Sequence, residues 1–260
     1  MDRAAWRVFA GVRREADADS LRAAASERLA PLMLDVTDAA QIAAAAERID
    51  AEVGEAGLDG LVDNAGIGVM GPLETLPLED FRRQIEVNLT GQVAVTQAML
   101  PLIRRAGGRV VFVSSAGGRM ALPFGGPYHA AKFGLEAVAD SLRQELRPWG
   151  IEVSVIEPGS IDTPIWERAV SSYEEMAARA PARQEELYGK RLAGLQEGAR
   201  RTAARGIAPE KAARAIDRAL TARRPRTRYR VGLDARGQVL LRRLLPDRLL
   251  DRLIAAFLRI

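Results

Sequence analysis

Apolar positions along this chain follow two rhythms. Short runs rich in β-branched residues alternate with longer stretches in which apolar residues recur every three or four. Trp6–Val12 reads as a strand, followed by Arg13-Arg14 and a helix over roughly Ala18–Leu29. A second strand at Pro31–Leu34 ends in Asp35-Val36, and Thr37-Asp38 supplies the N-cap for an alanine-rich helix, Ala39–Val53. Leu58–Val62 is a further strand that runs into Asp63-Asn64-Ala65-Gly66-Ile67-Gly68. Leu78–Arg105 reads as one long helix with Asn88 and Gly91 as interior irregularities. Then come a fully apolar strand around Val110–Val113, a helix over Tyr128–Arg147, and a strand at Ile151–Ile156 ending in Glu157-Pro158-Gly159.

Strands alternating with helices across short connections predict an α/β fold, a doubly wound parallel sheet of Rossmann type covered on both faces. Polar residues and glycines gather at the strand C-termini, where such sheets bind ligands. After Gly159 the alternation breaks, and residues 160–206 read as a helical, lid-like insertion over the substrate. Pro209–Ala222 resumes as a helix and Thr227–Val231 is the expected last strand. Without an internal repeat or interdomain linker, residues 1–260 are expected to form a single domain. The segment Gln238–Ile260 is amphipathic and basic, interrupted by Pro246. Packing against the domain or a sister subunit is the favoured reading, ahead of covering a lipophilic substrate or making peripheral contact with a membrane.

Composition narrows the chemistry. The hydrophobic share of 48% is that of an ordinary soluble protein. There is no cysteine, which removes disulfide, thiolate and cysteine-zinc chemistry, and a lone His129 rules out a multi-histidine metal site. Residues 1–12 lack the features of a signal peptide and no long apolar run spans a membrane, so a cytoplasmic location is expected. Arginine clusters between Arg223 and Arg243, but aromatics are sparse there; a solvated basic face is favoured over a nucleic-acid surface.

The chemistry concentrates in Arg109–Gly134, RVVFVSSAGGRMALPFGGPYHAAKFG. The strand ends in Ser114-Ser115, and a loop rich in glycine and proline leads to Tyr128-His129-Ala130-Ala131-Lys132 at the start of a helix. Tyr128 and Lys132, four apart, share a helix face. A free phenol, with a pKa of ~10, is a poor base at neutral pH. An adjacent ammonium favours the phenolate, and a hydroxyl beside it can hold a substrate oxygen for proton exchange. His129, between the two, reads as a helix-surface residue, and Asp63 as a strand-end acceptor of backbone hydrogen bonds.

These residues resemble the short-chain dehydrogenase/reductase family over nearly the whole chain. The resemblance implies catalytic roles for Ser115, Tyr128 and Lys132, with Asn88, in Val87-Asn88-Leu89, positioning a water in the proton relay. It likens Asn64-Ala65-Gly66 to the family's NAG motif and Asp35-Val36 to its adenine-contacting pair. Pro158-Gly159, with Ile161 and Thr163, falls where the family holds the nicotinamide carboxamide. Tyr128 would exchange a proton with substrate, Ser115 would hydrogen-bond the substrate oxygen, and Lys132 would lower the tyrosine pKa and contact the nicotinamide ribose.

The family also begins with a strand, a GxxxGxG turn and a helix ahead of the strand seen here at Arg7–Val12, and Met1–Trp6 resembles only the tail of that helix. The expectation is therefore of a chain that either starts late or is naturally truncated, whose strands at residues 7–12 and 31–34 lack the neighbour that joins them to the rest of a 3-2-1-4-5-6 sheet. Weak cofactor binding and poor solubility are expected of such a form. At the end of that strand stand Arg13 and Arg14, with no carboxylate. Guanidinium suits a 2′-phosphate, so NADP(H) is favoured over NAD(H), with Arg13 ahead of Arg14.

The apolar loop Met120–Phe124 and the residues around Ile165-Trp166 are expected to line the substrate pocket. Arg228-Tyr229-Arg230-Val231-Gly232 resembles the branch of retinol- and hydroxysteroid-type dehydrogenases, which implies a small lipophilic ketone or alcohol as substrate. The resemblance further suggests a homodimer or homotetramer built on helices 78–105 and 128–147. The alternatives are a catalytically impaired nucleotide-sensing or scaffold protein, and epimerisation or dehydration on the same fold.

Overall fold

A computed structural model describes residues 6–163, 182–203 and 206–258. The expected pocket residues Ile165 and Trp166 lie outside the described residues. In chain order the elements are β1 (Val8–Val12), α1 (Glu15–Ala24), β2 (Leu29–Met33), α2 (Ala39–Val53) and β3 (Gly60–Asp63). There follow α3 (Leu78–Ile85), a π-helical turn (Glu86–Thr90), α4 (Gly91–Ala106), β4 (Arg109–Val113), α5 (Gly126–Glu145) and β5 (Glu152–Pro158). The last are α6 (Ala182–Ala203), α7 (Pro209–Thr221), β6 (Arg228–Val231), α8 (Leu233–Leu244) and α9 (Asp247–Leu258).

Every strand pairing among the described residues is parallel. β1 and β2 form one two-stranded sheet, and β3-β4-β5-β6 form a second in that order. No described strand bridges the two, as expected from the sequence. They are joined instead through the helical layer. Leu32 of β2 and Ile42, Ala45 and Ile49 of α2 share one core with Val95, Met99, Leu102 and Ile103 of α4 and with Val110 and Phe112 of β4. The period of two along β4 then puts Val111 on the other face, against Ile156, Ala219, Leu220 and Tyr229. Strand β4 is thus buried on both faces, as its unbroken apolar run predicts.

Helix α2 begins where its cap requires: the Asp38 carboxylate accepts from the backbone N–H groups of Ala40 (2.9 Å) and Gln41 (3.1 Å). The expected helix at 18–29 is instead α1 at 15–24. Glu15 and Asp17 sit in its first turn, which suits the positive end of the helix dipole, and a turn closed by Leu29 N–H on Ser26 O (3.0 Å) starts β2 two residues early. The long helix at 78–105 is continuous but carries the π turn at its middle, and the C-terminal stretch divides at Pro246 into α8 and α9.

Gly91 marks a close approach between α4 and the chain leaving β2. A Cβ added there would stand 2.6 Å from the Val36 carbonyl oxygen. Gly91→Ala should therefore cost roughly 1–3 kcal/mol in urea unfolding. Gly237→Ala, inside α8 with no atom within 4 Å of the new Cβ, should instead stabilise by roughly 0.5–1 kcal/mol. Equal effects at the two sites would refute the close-approach reading.

Candidate active site

Parallel pairing delivers the C-terminal end of β4 to the same edge as those of β3 and β5. Ser114 N–H continues the ladder to Ile156 O (2.9 Å), and the chain then breaks into a short 3₁₀ turn, Ala116–Gly118, capped by Ser115. The Ser115 Oγ accepts from Gly117 N–H at 3.0 Å, and the Ser115 hydroxyl acts on the Tyr128 phenol. Tyr128 is the third residue of α5, directly after Pro127, whose ring suits a first turn. Burial pushes the phenol above its ordinary value of 10.0, and the Ser115 hydroxyl opposes that shift. The phenol therefore rests protonated.

Lys132 lies one turn further along α5 and is buried, its Nζ donating to Val113 O at 2.7 Å. Burial lowers its pKa to about 8, opposed by the Glu136 carboxylate. The expectation that Lys132 lowers the tyrosine pKa is not what this geometry shows. The ammonium is committed to the β4 carbonyl, and burial dominates the phenol.

His129 is a correction: it is buried, not on the helix surface. Its Nδ1 meets Gly117 O at 2.8 Å, so that nitrogen carries the proton. Burial keeps the imidazole pKa below its ordinary value. The ring fills the space between two glycines, for a Cβ at Gly117 or Gly125 would stand 2.9 or 2.7 Å from it. This explains the glycines at 117 and 125 in the loop between Ser115 and Tyr128.

Asn88, in the π turn, is fully buried. Its Oδ1 accepts from Ile67 N–H (2.8 Å) and its Nδ2 donates to Ile67 O (2.9 Å). Both ends of the amide therefore hold the loop that follows β3. Asp63, at the end of that strand, accepts from the Thr96 hydroxyl (2.8 Å), not from backbone. Burial raises its carboxyl pKa to about 7.

Beside this loop is a cleft of about 550 Å³ lined by Gly11, Val12, Arg13, Asp35, Val36, Asn64, Ala65, Gly66 and Ile67, with neighbours in α1. It brings together five of the expected cofactor residues from β2 and the loop after β3, plus Arg13. Arg14 is turned away, held by Asp17 at 2.7 and 2.8 Å. Asp35 is stabilised as a carboxylate by the Thr37 N–H and hydroxyl, with Arg13 adding to the effect. Ser115, Tyr128 and Lys132 do not line this cleft, and neither does the Pro158–Thr163 segment. That segment is fixed by Gly159 N–H on Val231 O (2.9 Å), Ser160 N–H on the Asp234 carboxylate (2.6 Å) and a bridge from Ile161 to Ile207; Thr163 is half-buried at its end.

Sequence reasoning missed the charges behind Lys132. Glu136 and Glu157 are buried, with Arg228 Nε 3.0 Å from the first and 3.2 Å from the second, and Arg230 completing the cluster at 2.9 Å from Glu157. Glu136 was visible as the residue four beyond Lys132; Glu157 carries no local signal. A second cavity of about 360 Å³ lies between Ala121, Leu122 and Pro123 of the active-site loop and Asp251, Ile254 and Ala255 of α9. Among the described residues no group of three potential ligands could hold a metal ion, and no helix is long and apolar enough to cross a membrane.

A parallel α/β sheet with a cleft at its C-terminal edge, together with a serine, a tyrosine and a buried lysine gathered at the end of β4, defines a nucleotide-dependent oxidoreductase class. The chain belongs to the short-chain dehydrogenase family: residues 2–174 match the family model "short chain dehydrogenase". It is 40% identical to retinol dehydrogenase 5 of Mus musculus, over 98% of this chain and 81% of that protein. It is likewise 39% identical to retinol dehydrogenase 16 of Homo sapiens, over the same shares of the two chains. Among solved structures, it resembles a short-chain dehydrogenase from Streptomyces avermitilis (TM-score 0.75, 28% identity, covering 98% of this chain and 86% of that one). Another, from Burkholderia cenocepacia, was solved in complex with NADP (TM-score 0.69, 26% identity, 95% and 86%). The family uses NAD(P), and the donor set here fits such a group: an exposed arginine, a carboxylate held ionised, and the peptide groups of Asn64–Ile67 along one wall.

Asp63 yields a pH test. Its folded pKa of about 7 lies above the ordinary 3.8, so the fold favours the protonated form. The stability this confers is full below the ordinary value and is lost as pH rises through about 7. The gap corresponds to at most ~4 kcal/mol. Asp63→Asn should raise the melting temperature more at about pH 8 than at about pH 4.5, and the same gain at both would contradict the assignment.

Proposed function

We propose that this protein is an NADP(H)-dependent oxidoreductase that interconverts a lipophilic ketone and a secondary alcohol, with Tyr128 as general acid and base. The observation that carries the reading is the convergence of Ser115, at the end of β4, on the Tyr128 phenol, with Lys132 buried one turn further along α5. Gly117 N–H occupies one acceptor site of the Ser115 Oγ, whose hydroxyl proton would then serve the substrate oxygen or the phenol. A phenol kept protonated by burial is a ready proton donor to a carbonyl oxygen, which suits reduction. In the reverse direction the phenolate would take the alcohol proton, with the Ser115 hydroxyl favouring the charged phenolate. The bound nicotinamide would supply or accept the hydride.

Arg13 supports the cofactor choice. It lines the cleft at the end of β1, where a 2′-phosphate would meet it, while Arg14 is neutralised by Asp17. Support for a lipophilic substrate comes from the retinol dehydrogenases among the relatives and from the apolar walls of the cavity between Leu122, Pro123 and α9.

Two measurements test this. Tyr128→Phe should lower kcat for reduction of a lipophilic ketone by ~10²–10⁴ while leaving NADPH affinity within a few-fold. Undiminished turnover would remove the tyrosine from the chemistry. Arg13→Asp should invert the NADPH/NADH ratio in kcat/KM, through loss of a charge-assisted contact and gain of repulsion. An unchanged ratio would sink the NADP(H) assignment.

A further inference from the structure

Four polar side chains, Gln84, Asn88, Gln92 and Thr96, stand four residues apart along the continuous helix α3–π turn–α4. They are 0, 0, 0 and 3% exposed. Each meets the chain leaving β3. Thr96 Oγ1 donates to Asp63 Oδ2 (2.8 Å), and Gln92 Nε2 donates to Ala65 O (2.5 Å). Asn88 takes both polar groups of Ile67, while Gln84 Nε2 donates to Ile67 O (3.1 Å) and its Oε1 accepts from Val69 N–H (2.6 Å). Every fourth residue of the helix thus engages every second residue of the facing segment, at 63, 65, 67 and 69.

The match has a geometric basis. Four helical residues rise ~6 Å, and two extended residues span ~6.6 Å. A uniform α-helix would nevertheless turn the rungs out of phase, for at ~100° per residue the twelve residues from 84 to 96 finish ~120° off. The π turn absorbs one extra residue and removes ~100° of that drift. Burying three amides is costly unless each meets a specific partner, and an apolar core needs none of them. Gln92 Oε1 has no hydrogen-bond partner, a cost that simple packing would avoid.

We propose that Gln84 and Gln92 are positioning residues. With Asn88 and Thr96 they form a ladder, kept in phase by the π turn, that fixes the loop after β3. Asn64, Ala65, Gly66 and Ile67 of that loop line the cleft, so the ladder sets one wall of the cofactor site. The effect on cofactor rests on the reading of that cleft given above.

Gln84→Met and Gln92→Met remove one rung each at nearly constant volume. Each should raise the Kd for NADPH about tenfold and leave kcat at saturating NADPH within twofold. In the ligand-free protein, Gln84→Met should speed amide hydrogen exchange at Val69 about tenfold. Unchanged Kd and unchanged Val69 exchange would overturn the proposal. So would loss of folding in both variants, or a fall in kcat without a change in Kd, since either marks an ordinary core role. If the wild type binds neither NADPH nor NADH, the cofactor reading falls by itself, and Val69 exchange in Gln84→Met still decides whether the ladder holds the loop.

Discussion

The site follows from one constraint, the parallel pairing of β4 with β3 on one side and β5 on the other. Val110, Val111 and Phe112 have no exposure, so the strand cannot shift without opening two cores at once. That pinning fixes where Ser115 leaves the sheet and where the Val113 carbonyl stands to receive Lys132. Because all four strands run the same way, the loops after β3, β4 and β5 open on one edge, where the cleft, the tyrosine and the Pro158–Gly159 turn lie.

Charge is handled differently in the two halves of this edge. Around Lys132 it is buried and compensated. Glu136, Glu157, Arg228 and Arg230 form a cluster in which burial and the Glu157 charge raise the Glu136 pKa while Arg228 opposes them. Such a cluster fixes geometry more than it adds stability, because desolvation offsets most of the attraction. Around the cleft the charge is exposed: Arg13 faces solvent and Asp35 is held ionised by Thr37. The buried half can hold a proton in place, and the exposed half can meet a charged ligand. That division is what hydride transfer between a dinucleotide and an apolar carbonyl would require.

The alternating pattern made the element order legible, because burial on both faces leaves an unbroken apolar run in β4 and the Asp38 cap is a local signal. It also disclosed Ser115, Tyr128 and Lys132 as a set through their spacing. Two features were not legible, and a third only in part. His129 looked like a surface residue, because its burial depends on Gly125, four residues before it, and on Gly117, twelve residues before it across the loop. The commitment of Lys132 to Val113 O depends on how α5 packs on β4, which spacing does not encode. The π turn at Glu86–Thr90 showed only as the irregularities Asn88 and Gly91, and the polar repeat at 84, 88, 92 and 96 was there to be read once its facing segment was known.

The central claim is that hydride passes between nicotinamide and a lipophilic carbonyl carbon beside Tyr128. It is tested most directly by supplying NADPH carrying deuterium at the transferable C4 position with a lipophilic ketone, and locating the label by mass spectrometry. The account predicts one deuterium on the carbinol carbon of the product, absent when Tyr128→Phe replaces the wild type. Product alcohol without that deuterium, or no alcohol from any ketone despite bound NADPH, would contradict it.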